Sequence, residues 1–188
     1  MISELFTANV ILGILASGIR LATPYLYAAI GETFGQRSGV LNLGVEGQML
    51  LGAFAGFYMT FTTGSPWLGL LAAILVGALM GLVMGFITVT LHAEQGISGI
   101  GIFLFGLGMS DLLFQKTIGS VETVKGFQPV HIPVLSDLPV VGEVLFQHNI
   151  MVYLAFLLVP VSWYILNKTT LGLKIRAVGE NPEAADSL

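Results

Sequence analysis

The sequence contains no cysteine and few charged residues. Without cysteine, the chain can form neither disulfide bonds nor thiolate metal sites. Only 10% of its 188 residues are charged, whereas soluble domains average about 25%. The net charge of −4 leaves no basic surface to neutralise phosphates, which argues against a nucleic-acid partner.

Nucleotide-binding and metal-binding motifs are also lacking. No G-x-x-x-x-G-K followed by Ser or Thr occurs, and GISGIG at residues 96–101 is not G-x-G-x-x-G either. His92, His131 and His148 have no helical i,i+4 partner and are interpreted as polar interfacial residues. We therefore expect no catalytic site, no cofactor and no metal, and the chain should perform no covalent chemistry of its own.

Apolar residues dominate what is present. They make up 55% of the sequence, and the mean hydropathy is +0.88. Because a membrane-spanning helix takes about 20 residues, about five to six spans would fit. The predicted fold is all-α, a polytopic transmembrane helix bundle. Four apolar runs have the length of spans and lie at residues 43–61, 68–91, 97–114 and 150–166.

Ahead of these runs, residues 5–34 are apolar but interrupted by Arg20 and Pro24. This pattern predicts either two short helices or one interfacial helix followed by one span. We favour the second, with residues 1–19 as an N-terminal interfacial or first membrane helix, because Arg20 is costly at the bilayer centre and cheap at its surface. The N-terminus lacks the basic region of a cleaved signal, so it is expected to remain in the mature protein.

The loops predict an orientation. Four basic residues fall on one side of the membrane by the count of crossings: Arg37, Lys168, Lys174 and Arg176. That side should be cytoplasmic, which puts residues 167–188 in the cytoplasm. Residues 116–149 should form an ordered, turn-rich extracytoplasmic loop, since they contain Pro129, Pro133 and Pro139.

The entrance to the second span is unusually polar for a membrane helix. A spacing of four and three residues predicts a polar or small face directed into the bundle: Asn42, Glu46, Met49, Ala53, Gly56 and Thr60. Gly39, Gly44 and Gly47 should break the helix near residues 37–47, which a membrane tolerates only beside protein or a watery cavity. With Asn42 and Glu46 they are our candidate translocation and gating residues. A purely structural role, with Glu46 capping a helix or pairing with Arg37, remains open at this point.

Glycine also recurs at every fourth position inside two spans. Gly52 and Gly56 lie on one, and Gly77, Gly81 and Gly85 lie on another. Such spacing is typical of helices whose backbones approach closely, so we predict that these glycines pack helices together.

Three segments resemble one family of proteins. They are RLATPYLYAAIGETFGQRSGVLNLGVEGQMLLGAF at 20–54, GFQPVHIPVLSDLPVVG at 126–142 and TTLGLKIRAVGENPEAADSL at 169–188. The chain is similar to membrane permeases of ABC importers in the branched-chain amino acid and ribose class, in the nucleoside and simple-sugar branch. The resemblance covers nearly the whole chain, with the segments in the same order.

The resemblance implies a permease subunit in the bacterial inner (cytoplasmic) membrane that moves nucleosides, or simple sugars such as ribose, by alternating access. The implied partners are ABC ATPase subunits, a second permease subunit, membrane lipid, and a substrate-binding lipoprotein or periplasmic binding protein. Similar permeases continue past the point where this chain stops, so we interpret it as a fragment. The alternative is a secondary transporter or channel that uses Glu46 and Asp111 as ion-binding groups.

The last segment is similar to the cytoplasmic coupling loop of such permeases, a short helix with an E-A-A core that docks on the ATPase. Here the residues with that implied role are Gly179, Asn181, Pro182, Glu183, Ala184 and Ala185. Asn181 is placed to cap the helix, and Pro182 suits its first position. The alternative is an ordinary polar tail after the last span.

Overall fold

The computed structural model describes residues 8–120, 122–133, 135–136 and 138–186, and across these ranges it contains helices and no strand. The α-helices are α1 Ala8–Arg37, α2 Val45–Thr63, α3 Pro66–Gly85, α4 Gln95–Thr117, α5 Val141–Leu145, α6 Ile150–Lys168, α7 Thr170–Glu180 and α8 Pro182–Asp186. A π-helical turn, Phe86–Thr90, follows α3 directly. The predicted all-α class is confirmed.

Four helical stretches are long and apolar enough to cross a membrane. They are Val10–Arg37, Pro66–Thr90, Gln95–Thr117 and Ile150–Lys168. The 19-residue helix α2 is not among them, since Glu46, Gln48 and several threonines lower its hydropathy.

The first helix corrects one prediction. The interruption expected at Arg20 and Pro24 is wrong, because both residues lie inside a single 30-residue helix, and the boundary drawn at residue 19 falls within it. Pro24 cannot donate to the carbonyl one turn back, a loss that membrane helices tolerate. The polar side chains near Pro24 form hydrogen bonds within the same helix. Arg20 donates to Ser17 Oγ at 3.0 Å, and Thr23 Oγ1 donates to Ile19 O at 2.8 Å.

The chain divides into two compact units. The first unit consists of Met1–Ile30 and Phe127–Lys168. In its described part, the Tyr27 hydroxyl donates to the Met151 carbonyl oxygen at 2.7 Å, which ties α1 to α6. Val152 and Ala155 are the buried residues of α6 nearest this contact in the sequence.

The loop before α6 belongs to the same unit and is held by one buried serine. Ser136 Oγ accepts from Ile132 N at 2.9 Å and donates to Phe146 O at 2.6 Å. Pro129 and Asn149 form an isolated antiparallel bridge between the two ends of the loop. These contacts give the described part of the loop an ordered fold.

The second unit consists of Gly31–Gly126 and Thr169–Leu188. In it α2 packs against both α3 and α4. The reversal between α2 and α3 uses Gly64 in the left-handed region, at φ 72°, followed by Pro66 at the start of α3. The buried core of this unit comprises Met80, Met84 and Ile102.

Candidate functional site

The connection between α1 and α2, residues 38–44, is here called the α1–α2 turn. It overlaps the segment near 37–47 for which the sequence predicts a broken helix. Gly39 has a φ of +88°, a left-handed conformation that glycine adopts without steric cost. The Ser38 backbone N–H donates to Phe34 O at 3.1 Å, which closes the last turn of α1.

Asn42 lies in this turn and not on a face of α2, whose first residue is Val45. Its backbone N–H donates to Glu32 Oε1 at 3.0 Å. Its side chain accepts from Gly44 N at 3.0 Å and donates to Gln48 Oε1 at 3.2 Å. Glu32, Asn42 and Gln48, here called the polar cluster, therefore connect the end of α1 to the first turn of α2.

Two members of the polar cluster were missed as site residues by the sequence analysis. Glu32 and Gln48 are both partly buried. Their polarity could have identified them, because long polar side chains in an apolar segment are costly in lipid unless they form hydrogen bonds. The spacing of four and three residues along α2 includes Glu46 and includes neither Glu32 nor Gln48.

Gln95, the first residue of α4, contacts the α1–α2 turn from outside. Its Nε2 donates to Gly39 O at 3.1 Å, and its Oε1 accepts from Leu41 N at 2.7 Å. No local pattern could predict these bonds, because they join residues 56 and 54 positions apart.

Glu94 caps the helix that Gln95 begins. Its carboxylate accepts from Gly96 N at 2.9 Å and from Ile97 N at 2.5 Å. These bonds, that from Ile97 first, lower the pKa of Glu94 from its ordinary value. The start of α4 is thereby fixed where Gln95 meets the turn.

Two of the three predicted pathway glycines, Gly44 and Gly47, lie at close backbone contacts with α4. A Cβ on Gly44 would come within 2.8 Å of Gly99 O, and one on Gly47 within 2.6 Å of the Phe103 Cα. A Cβ on Gly106 would fall on the backbone of Gly47. In the described structure Gly44 and Gly47 thus serve the close packing of α2 against α4.

The expectation that Glu46 faces the bundle interior stays a prediction. Glu46 is exposed in the first turn of α2. Within the described ranges it has no hydrogen bond, and the proposed ion pair with Arg37 is not formed. Its carboxylate lies at the positive end of the α2 dipole.

Asp111 lines an open groove between α2 and α4 with a volume of about 420 Å³. Its apolar wall comprises Leu50, Ala53, Phe54, Phe57, Leu107 and Phe114. Asp111 Oδ2 accepts from Gln115 Nε2 at 2.7 Å. Glu46 is not among the residues that line this groove, so the two carboxylates of the ion-binding alternative do not share it.

The predicted packing glycines divide into two groups. A Cβ on Gly56 would lie 3.2 Å from Gly69 O, and one on Gly52 would lie 3.6 Å from Ala73 O, both on α3. Cβ atoms on the second group would meet no described atom within 4 Å, and this group comprises Gly77, Gly81 and Gly85. Among the described residues, no other backbone lies against the second group, and its packing role stays a prediction.

The predicted cap of the last helix is confirmed. Asn181 Oδ1 accepts from Ala184 N at 3.0 Å, and α8 begins at Pro182. Glu183 and Ala184 are exposed and Ala185 is partly buried. Across the described residues, no group of three or more His, Asp or Glu could hold a metal ion.

Gly179, one turn earlier in α7, lies against the α1–α2 turn. A Cβ there would fall on the Arg37 carbonyl oxygen and 3.0 Å from the Gly39 nitrogen. Two segments far apart in sequence therefore meet backbone to backbone.

Comparison with known proteins assigns a family to this helical arrangement. The family model described as the permease component of the branched-chain amino acid transport system matches residues 14–188. This chain belongs to that permease family. With its apolar helices, it is an integral membrane protein.

Relatives within the permease family carry names of nucleoside and sugar transporters. The guanosine ABC transporter permease of Bacillus subtilis is 39% identical over 180 residues, which is 89% of this chain and 56% of that protein. The nucleoside ABC transporter permease of Lactococcus lactis is 35% identical over 93% of this chain and 58% of its own length.

A protein of Haloferax volcanii that is named as a glucose ABC transporter permease is 41% identical over 94% of this chain and 54% of its own length. The chain thus spans between 54% and 58% of the length of these relatives. No solved structure matches it significantly.

Proposed function

We propose that this chain is part of the permease subunit of an ABC importer that moves nucleosides across the cytoplasmic membrane. The observation that carries the proposal is the family match over residues 14–188, together with 39% identity to a guanosine permease. Separate ATPase subunits would drive alternating access, and ATP would act by favouring one of two conformations. A second permease subunit would complete the pore.

We propose five spans, formed by α1, α2, α3, α4 and α6. The 19 residues of α2 extend about 28 Å at 1.5 Å per residue, close to the thickness of the hydrocarbon core. Its low hydropathy is acceptable because it packs on both α3 and α4, so that its polar side chains meet protein. The contact between Gly179 and the α1–α2 turn supports placing both on one side.

That side would be cytoplasmic, since Arg37, Lys168, Lys174 and Arg176 flank the helices there. The loop at 116–149 would lie outside and receive substrate from a lipoprotein or periplasmic binding protein. A reporter fused at Gly126 should behave as extracytoplasmic. Cytoplasmic behaviour of that reporter would invert this topology.

The coupling segment would comprise Gly179 and the residues of α8, with Glu183 and Ala184 presented to the ATPase. Ala184→Arg in the assembled transporter should weaken co-purification of the ATPase and abolish substrate-stimulated ATP hydrolysis, because the added side chain would hold a short helix out of its groove. Thr170→Arg is the matched control, since it adds the same charge to the exposed first turn of α7. Equal co-purification in both variants would identify α8 as a tail.

Substrate choice requires its own experiment, because the relatives differ in the substrate they are named for. Labelled guanosine should enter vesicles that contain the complete permease with its ATPase and binding protein, and excess unlabelled adenosine or uridine should compete. Excess glucose or ribose should not. Competition by glucose alone would reassign the importer to sugars.

A further inference from the structure

The α1–α2 turn is held from two sides by residues that are distant in sequence. Gln95 contacts it from α4 through two hydrogen bonds, and Gly179 contacts it from α7 through its backbone. Both contacts lie in the second unit, with the polar cluster. The turn therefore lies between the coupling segment and the first turns of two membrane helices.

The contact at Gly179 leaves no room for a larger residue. Its Cβ would meet the Arg37 carbonyl oxygen and the Gly39 nitrogen, which are backbone atoms that cannot rotate away. Between Gly179 and α8 the hydrogen bonding is continuous, since Asn181 N donates to Ala177 O at 3.0 Å and Asn181 Oδ1 accepts from Ala184 N. A displacement of α8 would thus reach the turn without a flexible spacer.

Gln95 fixes the turn to α4. One carboxamide satisfies both Gly39 O and Leu41 N, so the turn cannot shift relative to α4 without breaking two bonds. The capped start of α4 at Glu94 keeps this side chain in place.

Among the described residues, the polar cluster contains one buried nitrogen without a hydrogen-bond partner, Nε2 of Gln48. Asn42 Oδ1 accepts from Gly44 N, which fixes Asn42 Nδ2 as the group that faces Gln48. Gln48 must then turn its Oε1 to Asn42, and its buried Nε2 has no acceptor among the described residues. A buried donor left unpaired disfavours this arrangement relative to any other in which it finds an acceptor.

We propose that Gly179 and Gln95 are positioning residues that transmit the movement of α8 through the α1–α2 turn to α2 and α4, and that the Gln48 carboxamide changes partner when the turn moves. This inference rests on the proposed function. The coupling would come from contacts that differ between two positions of the turn.

The test compares two glycines in the assembled transporter. Gly179→Ala places a methyl group on backbone, whereas Gly101→Ala in α4 meets no described atom within 4 Å. Gly179→Ala should leave ATPase co-purification intact and lower guanosine uptake and guanosine-stimulated ATP hydrolysis by about tenfold or more, within the range of allosteric coupling. Gly101→Ala should keep both within about twofold of the parent, as distant substitutions do.

A second measurement separates loss of the transmitted movement from a general loss of stability. Leu41 is 40% exposed, so the rate at which Leu41→Cys reacts with a water-soluble maleimide should change when ATP is added. That response should persist with Gly101→Ala and disappear with Gly179→Ala. It should also disappear with Gln95→Leu, which removes both bonds to the turn without introducing a backbone clash.

The possible results separate failure of this inference from failure of the proposed function. An ATP response that survives in either Gly179→Ala or Gln95→Leu overturns the inference. A transporter with Leu41→Cys alone that binds its ATPase, and whose rate of reaction with maleimide does not change with ATP, overturns it as well. A parent chain that does not co-purify with an ATPase would instead refute the proposed function.

Discussion

Glycines in two regions of this chain have different surroundings. Where α2 meets α4, Gly47 faces Gly106 so closely that a methyl group on either residue would strike backbone. Along α3, the glycines from Gly77 to Gly85 face open space within the described structure. The two regions differ because, in the first, a glycine on one helix lies opposite a glycine on another helix.

The spacing of glycines within one helix therefore predicts a face without side chains. Whether another helix packs closely on that face depends on the residues of the second helix. Gly56 illustrates this rule, since it lies opposite Gly69 on α3. Substitutions that add a methyl group to each region test the difference directly.

The largest effect is expected for Gly106→Ala. Its Cβ would fall on the Gly47 backbone, so α2 and α4 would have to separate, at a cost of about 3 kcal/mol, the upper part of the usual range for overpacking. Gly108→Ala, two residues along the same helix, meets no described atom within 4 Å and should not destabilise. Thermal unfolding in detergent measures both, and equal melting temperatures would remove the basis of the comparison.

A smaller effect is expected when the polar cluster is opened. Asn42→Ala deletes two side-chain hydrogen bonds and should lower the free energy of unfolding by about 1–2 kcal/mol. Glu46→Ala, at an exposed position, should change it by less than about 0.5 kcal/mol. Equal losses in the same unfolding assay would place Glu46 in a packed site after all.

The open region should respond in the opposite direction. Gly81→Ala adds a methyl group to empty space and replaces glycine by a better helix former, which should stabilise α3 by about 0.5–1 kcal/mol. A loss of stability comparable with that of Gly106→Ala would mean that the α3 face is packed in solution. Gly85→Ala provides a repeat of the measurement on the same face.

The smallest effect concerns the cap that holds Gln95 beside the packed region. The lowered pKa of Glu94 means that its charged form is favoured by folding. Its contribution is therefore present above the ordinary carboxyl pKa of 4.5 and lost as the pH falls through the lower folded value. The melting temperatures of the parent and Glu94→Ala should differ slightly at pH 7 and converge below pH 4.5. A difference that grows towards low pH would have the wrong sign.

Local chemistry predicted much of this structure. Asn181 was recognised as a cap because it precedes Pro182 and a run of small helix formers, and the hydrogen bond to Ala184 is present. The apolar runs became helices of nearly the expected extent. These features depend on residues only a few positions apart, which sequence patterns record.

What could not be predicted depends on distant contacts or on the solvent. Gln95 meets the α1–α2 turn across more than 50 positions, and no periodicity encodes such a pairing. Arg20 and Pro24 predict interruptions of the helix, as in water, but α1 continues through both. In the bilayer no water is present to bind free backbone N–H and C=O groups, so the helical hydrogen bonds are kept. The spacing pattern that includes Glu46 does not include Glu32, whose hydrogen bond with Asn42 N joins residues ten positions apart.

The π-helical turn at Phe86–Thr90 has a consequence for the ancestry of this segment. A π turn closes its hydrogen bonds over one more residue than an α turn, so the stretch accommodates a single inserted amino acid without interrupting the helix. The Leu91 backbone N–H donates to the Phe86 carbonyl oxygen, five residues back, at 3.1 Å. Removal of one residue here would restore an ordinary α-helix, and we expect related permeases to differ by a one-residue gap at this place more often than elsewhere in the helix.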